Sequence, residues 1–369
     1  MVRLILVPLL KGERYIVPKG IPTVIASECS ERGNLTLKTR LTVILIAGKE
    51  SHYIPSKTIL QQGENTMKKQ TFTLQSNYDG LTLAGLLIAP EGTPKGIVQL
   101  VHGMAEHKNR YEELMSFLAQ NGYVCVCHDH RGHGGSMRSA DEKGWFGDYD
   151  GKAVVDDTVR ITQYVKELYP NLSLTLFGHS MGSLVVRCYA QEHDELIDKL
   201  VVCGSPSKNP LSGVAIFLEK TIRLFCGAKH RSKLLAFLST GKGDGQFPGE
   251  GQKAWLSANR ANVEAYLADE NCGFTFTCNG YENLFNLLRR TYQQKKYQVK
   301  NPTLPIHFIA GANDPVIVNE KAWRAAVAEM QAVGYQAVTS KLYEGMRHEI
   351  HNELDRQSVY NDLLAYIEG

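Results

Sequence analysis

None of the eight cysteines in this 369-residue chain forms a C-x-x-C pair, which excludes paired zinc-ribbon ligands and a thioredoxin-type redox motif. Long apolar runs are missing too. None approaches the roughly 18 residues that a membrane-spanning helix requires. The short runs at 4–10 and 41–47 lack both the apolar length and the nearby small-residue cleavage site of a signal peptide. No internal repeat is present. Charge of one sign is also scarce. The formal net charge is only +3, and residues 1–66 carry all of the surplus, with nine Lys/Arg against five Asp/Glu. That leaves 32 of the 41 basic and 33 of the 38 acidic residues to the rest of the chain, which therefore offers no basic signature for nucleic acid.

What is present fits a globular protein with a large core, at 43% hydrophobic and 21% charged residues. Cys125 and Cys127 alternate on an expected strand over 123–128 and so share one of its faces. Cys188 and Cys203 also sit in apolar runs, so the thiols read as reduced core groups and favour a reducing, cytoplasmic setting. From Met67 onward, expected strands at 68–74, 81–88, 96–101 and 123–128 mix with helices at 111–120 and 152–168. That alternation predicts an α/β fold, a mostly parallel sheet with helices on both faces. It breaks after Pro206. The stretch 208–300 shows helical patterning, a Gly-rich loop and no convincing strand, and reads as an inserted helical cap. The expected organisation is thus an extension at 1–66, a core over 67–207, a cap over 208–300, and the remaining core over 301–369. The extension has a further reading. Codons for Gly63-Glu64 can spell GGAGAA or GGAGAG, a ribosome-binding sequence just before Met67, so 1–66 reads as translated upstream sequence.

Gly178-His179-Ser180-Met181-Gly182 carries the chemistry. An apolar, β-compatible run at 172–177 precedes it, and a helix-compatible run at 183–190 follows. A serine on so sharp a strand-to-helix turn is the nucleophile elbow, with flanking glycines because side chains there would strike backbone. A serine hydroxyl is a poor nucleophile and needs a base with its own orienting acid. The required order is Ser, then Asp or Glu, then His. A strand pattern at 304–310 delivers Asp314, and another at 337–343 delivers His348. Open α/β sheets build their sites at strand C-terminal ends, so Ser180, Asp314 and His348 are expected to converge. Two backbone N–H groups should hold the oxyanion: that of Met181, after the nucleophile, and that of Met104, in the loop after the 96–101 strand. The cluster His128-Asp129-His130-Arg131-Gly132-His133 contains metal-ligand types. A strand exit in an α/β enzyme explains it without an ion, and no metal or cofactor is expected.

Taken together, H-G-x-x-E-H at 102–107, D-x-R-G-H-G-x-S at 129–136, G-H-S-M-G at 178–182, G-x-x-D-P-V at 311–316 and R-H-E-I-H at 347–351 resemble the monoacylglycerol lipase and lysophospholipase branch of the α/β-hydrolases. The resemblance spans roughly 67–369. Residues 255–257 through 272–276 look like the cap of bacterial members. The resemblance implies the α/β-hydrolase fold, with Ser180, Asp314 and His348 as nucleophile, acid and base. It also implies that Glu106, Arg110 and His351 lie near the polar head of a bound monoglyceride. The expected activity is hydrolysis of a small single-chain acyl ester through an acyl-enzyme, with a short-chain carboxylesterase, peptidase or acyltransferase as alternatives on the same triad. The apolar stretch holding Val214, Ile216, Phe217, Leu218, Ile222, Leu224 and Phe225 either packs onto the core or lines an acyl groove. With Lys229, Arg231 and Lys233 beside it, the cap is a candidate for transient membrane-surface contact.

Overall fold

The computed structural model describes residues 3–6, 23–31, 38–47, 50–52 and 67–369 apart from 148, 211, 241 and 242. The chain divides into two units, 1–64 and 65–369. In the first, β1 (Arg3–Leu6), β2 (Thr23–Glu31), β3 (Lys38–Ala47) and β4 (Glu50–His52) form a sheet in chain order. β1 runs parallel to β2, and the other pairs are antiparallel. The sequence has no sustained period here. β3 arises instead from an unbroken run of β-formers at 41–46. The remainder of 1–66, and with it the upstream-sequence reading, lies outside the described residues.

The second unit is built on an eight-stranded sheet. Its strands are β5 (Met67–Gln75), β6 (Thr82–Pro90), β7 (Gly96–Val101), β8 (Tyr123–His128), β9 (Leu174–His179), β10 (Lys199–Cys203), β11 (Ile306–Gly311) and β12 (Val338–Tyr343). They lie in the order β5-β6-β8-β7-β9-β10-β11-β12. β5 and β6 join antiparallel, and the six from β8 to β12 are parallel. The central strands are buried on both faces, which is why they read as continuous apolar runs rather than alternating ones.

Side chains alternate between two cores. Ile97, Val124, Val126, Leu176 and Val202 face one, with α2 (Lys152–Leu168), α3 (Met181–His193) and α8 (Glu320–Ala332). Val98, Leu100, Cys125, Cys127 and Phe177 face the other, with α1 (Glu112–Gln120) and α9 (Arg356–Glu368). Cys125 and Cys127 thus share a face, and Cys125, Cys127, Cys188, Cys203, Cys226, Cys272 and Cys278 are free thiols.

Between β10 and β11 the described residues form α4 (Ser212–Cys226), α5 (Lys233–Thr240), α6 (Arg260–Ala268) and α7 (Cys278–Thr291), with no strand among them. α7 belongs to the core, with Tyr281, Phe285 and Leu287 packed among the residues of α3. α4 lies on α7 and is divided. Ile216 and Glu219 are buried, whereas Phe217, Leu224 and Phe225 are 73%, 79% and 81% exposed. No helix of the described residues is long and apolar enough to cross a membrane.

Candidate active site

Register brings the C-terminal ends of the parallel strands to one edge: Val101 pairs with Gly178, Cys203 with His179 and Ile309, and Gly311 with Tyr343. Ser180 follows β9 directly, with φ 54° and ψ −118°, a conformation that L residues rarely adopt. Its N–H donates to the Cys203 carbonyl at 2.9 Å, and its own carbonyl accepts from the Ser183 N–H at 2.9 Å. The flanking glycines are there because backbone comes close. A Cβ at Gly182 would sit 2.1 Å from the Val101 carbonyl oxygen, and one at Gly178 2.5 Å from that of Gly182. Only hydrogen at both positions lets α3 start so close to the sheet.

Asp314 and His348 meet at this edge. Both are buried, and His348 Nδ1 lies 2.8 Å from Asp314 Oδ2. The other carboxylate oxygen accepts from the Val316 N–H at 2.8 Å. Burial opposes the imidazolium of His348, but the charge and hydrogen bond of Asp314 outweigh it and raise the pKa above the ordinary 6.5. The ring packs against the exit of β10, where a Cβ at Gly204 would lie 3.3 Å from His348 and 3.4 Å from Asp314. His179 and Trp255 flank it, with ring centroids at 4.7 Å and 5.1 Å. Trp255 comes from the insertion, whose Leu256 carbonyl also accepts the Glu349 N–H at 2.7 Å.

The 102–107 loop closes the other side. A Cβ on Gly103 would stand 3.1 Å from Ser180 Cβ. The Gly103 N–H donates to Glu106 Oε1 at 2.5 Å, so a carboxylate three residues on ties the loop down. Met104 follows, then Ala105 with φ 52°. The Met104 N–H has no acceptor among the described residues. Met181 opens α3, so its N–H has no partner within the helix.

Glu106, Arg110 and His351 cluster behind this loop. Glu106 also accepts from the Tyr111 hydroxyl at 2.9 Å and pairs with Arg110 at 3.3 Å and His179 at 3.4 Å. Burial alone would raise its pKa, yet the hydrogen bond and charge of His179 and the charge of Arg110 hold it well below the carboxylate range. Arg110 reaches Glu349 at 2.5 Å and Asn262 at 3.1 Å. His351 stacks on Tyr111 at 4.8 Å, and neither ring nitrogen has a partner among the described residues. Burial first, and His179 second, push its pKa well down. Tyr111, His179 and Glu349 are members of this network that sequence reasoning left out. His179 was visible only as the variable position of the elbow motif, and Glu349 as a neighbour of His348.

The histidine-rich strand exit forms a ring cluster. His102 lies 4.3 Å from His130 and 5.2 Å from His133. Its Nε2 accepts the His130 N–H at 2.9 Å, and His133 Nδ1 meets the Arg131 carbonyl at 3.0 Å. Burial pushes His128 and His133 down to about 3. Asp129 turns away to Lys108 at 2.6 Å and the Gly135 N–H at 2.8 Å.

A family model described as serine aminopeptidase, S33, matches residues 92–355. The chain belongs to this hydrolase family. Its relatives include a monoglyceride lipase of Rattus norvegicus, 28% identical over 302 residues, which are 79% of this chain and 88% of that one. A monoacylglycerol lipase of Mycolicibacterium smegmatis is 26% identical over 75% of this chain and 90% of its own length. Among solved structures, a thermostable carboxyl esterase from Bacillus coagulans in complex with glycerol superposes with a TM-score of 0.74 at 27% identity, covering 82% of this chain and 99% of the other. The sheet order and these likenesses establish the α/β-hydrolase fold.

Proposed function

We propose that the protein is a serine ester hydrolase acting on single-chain acyl esters, a monoacylglycerol or a lysophospholipid. The observation that carries this reading is the buried Asp314–His348 pair, 2.8 Å apart, at the sheet edge where Ser180 stands on its strained turn. Ser180 attacks the ester carbonyl as His348 takes its proton. The oxyanion rests on the N–H groups of Met104 and Met181, and the alcohol leaves with a proton from His348. Water activated by the same imidazole then releases the fatty acid, while Asp314 fixes the ring's tautomer and stabilises the imidazolium. The named activities of the lipase relatives support the substrate class.

The alcohol portion is assigned to the wall of Glu106, Arg110 and His351. Of the three, His351 has both nitrogens without a partner among the described residues. The acyl chain is assigned to the space under the 208–300 insertion. The exposed side chains of Val214, Phe217, Leu224 and Phe225 on α4, with Leu234, Phe237 and Leu238 on α5, support transient contact with a membrane surface. Free thiols at the seven cysteines from Cys125 to Cys278 favour the cytoplasm. A second reading, short-chain carboxylesterase, is favoured by the Bacillus coagulans structure.

Hydrolysis of glycerol and lysophosphatidyl esters across an acyl-length series tests the choice. Each methylene buried adds at most about 0.8 kcal/mol, so a lipid site shows kcat/KM climbing with chain length until the groove is full. Fastest turnover of acetate esters would instead establish the carboxylesterase. Release of amine from an aminoacyl anilide at a comparable rate would favour the peptidase implied by the family description.

A further inference from the structure

Apart from the triad, three donor atoms of different chemistry meet where the 102–107 loop touches the insertion. His107 Nε2 lies 2.8 Å from Asp269 Oδ2, and a ring nitrogen of His107, a carboxylate oxygen of Asp269 and Cys272 Sγ all fall within 4.8 Å of one another. His107 is far in sequence from the other two, and the turn after α6 brings Asp269 and Cys272 to it. We propose that His107, Asp269 and Cys272 form a zinc-binding site that fastens the 269–273 turn to the loop carrying Met104.

The donor set selects the metal. A thiolate with an imidazole disfavours magnesium and calcium, which take oxygen ligands, and suits zinc, which accepts nitrogen, oxygen and sulfur in a tetrahedron. Zinc bonds of about 2.0–2.3 Å set neighbouring ligand atoms roughly 3.3–3.6 Å apart. The His107–Asp269 spacing of 2.8 Å is shorter than that and every spacing is at most 4.8 Å, so ångström-scale movements of side chains complete the site. Charge closes as well. The 2+ ion meets one carboxylate and one thiolate, giving a neutral site. The thiol proton passes to solvent, and the hydrogen on His107 Nε2 that now faces Asp269 leaves as Nε2 takes the ion, the neutral ring carrying its one proton on Nδ1 instead. The Asp269 side chain is 33% exposed, which gives the ion an approach and leaves the fourth position to water.

The surroundings are already braced for such a link. The Gly273 N–H donates to the Ala105 carbonyl at 2.9 Å, and the Tyr266 hydroxyl donates to the same oxygen at 3.1 Å. Ala105, at φ 52°, directly follows Met104. Arg110, whose charge acts on Cys272, is paired with Glu106 and Glu349. An ion bound here therefore ties the turn to the loop two residues from the Ala105 carbonyl it already grips.

Zinc titrated into the full chain against a chromogenic chelator should show one tight site. Cobalt should give the strong near-ultraviolet thiolate charge-transfer absorption together with the visible bands of a four-coordinate ion. Cys272→Ser should abolish the charge-transfer band, whereas Cys226→Ser, which alters an exposed thiol elsewhere, should keep it. His107→Gln and Asp269→Asn should each weaken zinc by at least the roughly tenfold that loss of an outer-shell partner alone costs. Asp269 is a surface carboxylate, so its variant keeps the test alive if Cys272→Ser does not fold. Absence of a tight site, a charge-transfer band that survives Cys272→Ser, or unchanged zinc affinity in Asp269→Asn would overturn the proposal.

Discussion

Asp314 serves two partners at once, one oxygen holding the Val316 N–H and the other His348 Nδ1. Its amide cannot do both in the same sense, because an NH2 group facing Nδ1 enforces the opposite tautomer. Asp314→Asn is therefore expected to lower kcat by roughly ten-thousand-fold. Ser180→Ala should abolish turnover and fluorophosphonate labelling while circular dichroism stays native. The pH profile follows from the same pair. His348 must be neutral to accept the serine proton, and Asp314 raises its pKa above 6.5. The acid limb of kcat/KM should then have its midpoint above 6.5 and move lower in Asp314→Asn. The sign for stability is opposite to that for activity. The Asp314–imidazolium attraction contributes fully below the unfolded value near 6.5 and is lost as pH rises through the folded value. Arg110→Ala and His351→Ala bear on the alcohol wall. Each should lower kcat/KM for a glycerol ester more than for an alkyl ester of the same acid.

At the scale of elements, the join between β7, β9 and α3 leaves no room for a side chain. Gly182→Ala should cost stability by about 1–3 kcal/mol through overpacking, and a urea midpoint reads it. This join was legible in sequence because its requirement is local: two glycines, a strand run before and a helix run after. So were β7, β8 and α2, whose bounds fall where apolar patterning starts and stops. The network behind the loop was not. Tyr111, His179 and Glu349 become partners through the sheet order, and no spacing rule links positions drawn from three separate segments. α4 shows a different limit. Its apolar residues left core packing and an acyl groove both open, and the helix hides Glu219 beside Glu282 while exposing Phe217 and Phe225. Burial, then the charge of Glu282, pushes Glu219 up to about 7 against Arg223 and Lys220. A raised carboxyl value means that stability is lost as pH climbs from about 4.5 through 7. Glu219→Gln should thus be more stable than the parent at pH 8, and the gain should vanish at pH 4.

For the whole molecule, acid is the weak side. His128 and His133 are held neutral down to about 3, so between pH 6.5 and 3 the unfolded chain takes up protons that the folded chain refuses. Their contribution is complete above 6.5 and shrinks steadily below it, and thermal melts across that interval should record the decline. A chain starting at Met67 loses only two residues of the second unit and keeps every strand of its sheet, and should match the full chain in melting temperature and in kcat/KM. The geometry of Ser180 has its own bearing on how firmly this unit holds together. A serine at φ 54° and ψ −118° costs of order 1–3 kcal/mol, a load that glycine carries without strain. The proposed nucleophile is thus a strained position that folding tolerates. Ser180→Gly should melt higher than both the parent and Ser180→Ala, making the inactive protein the sturdier one.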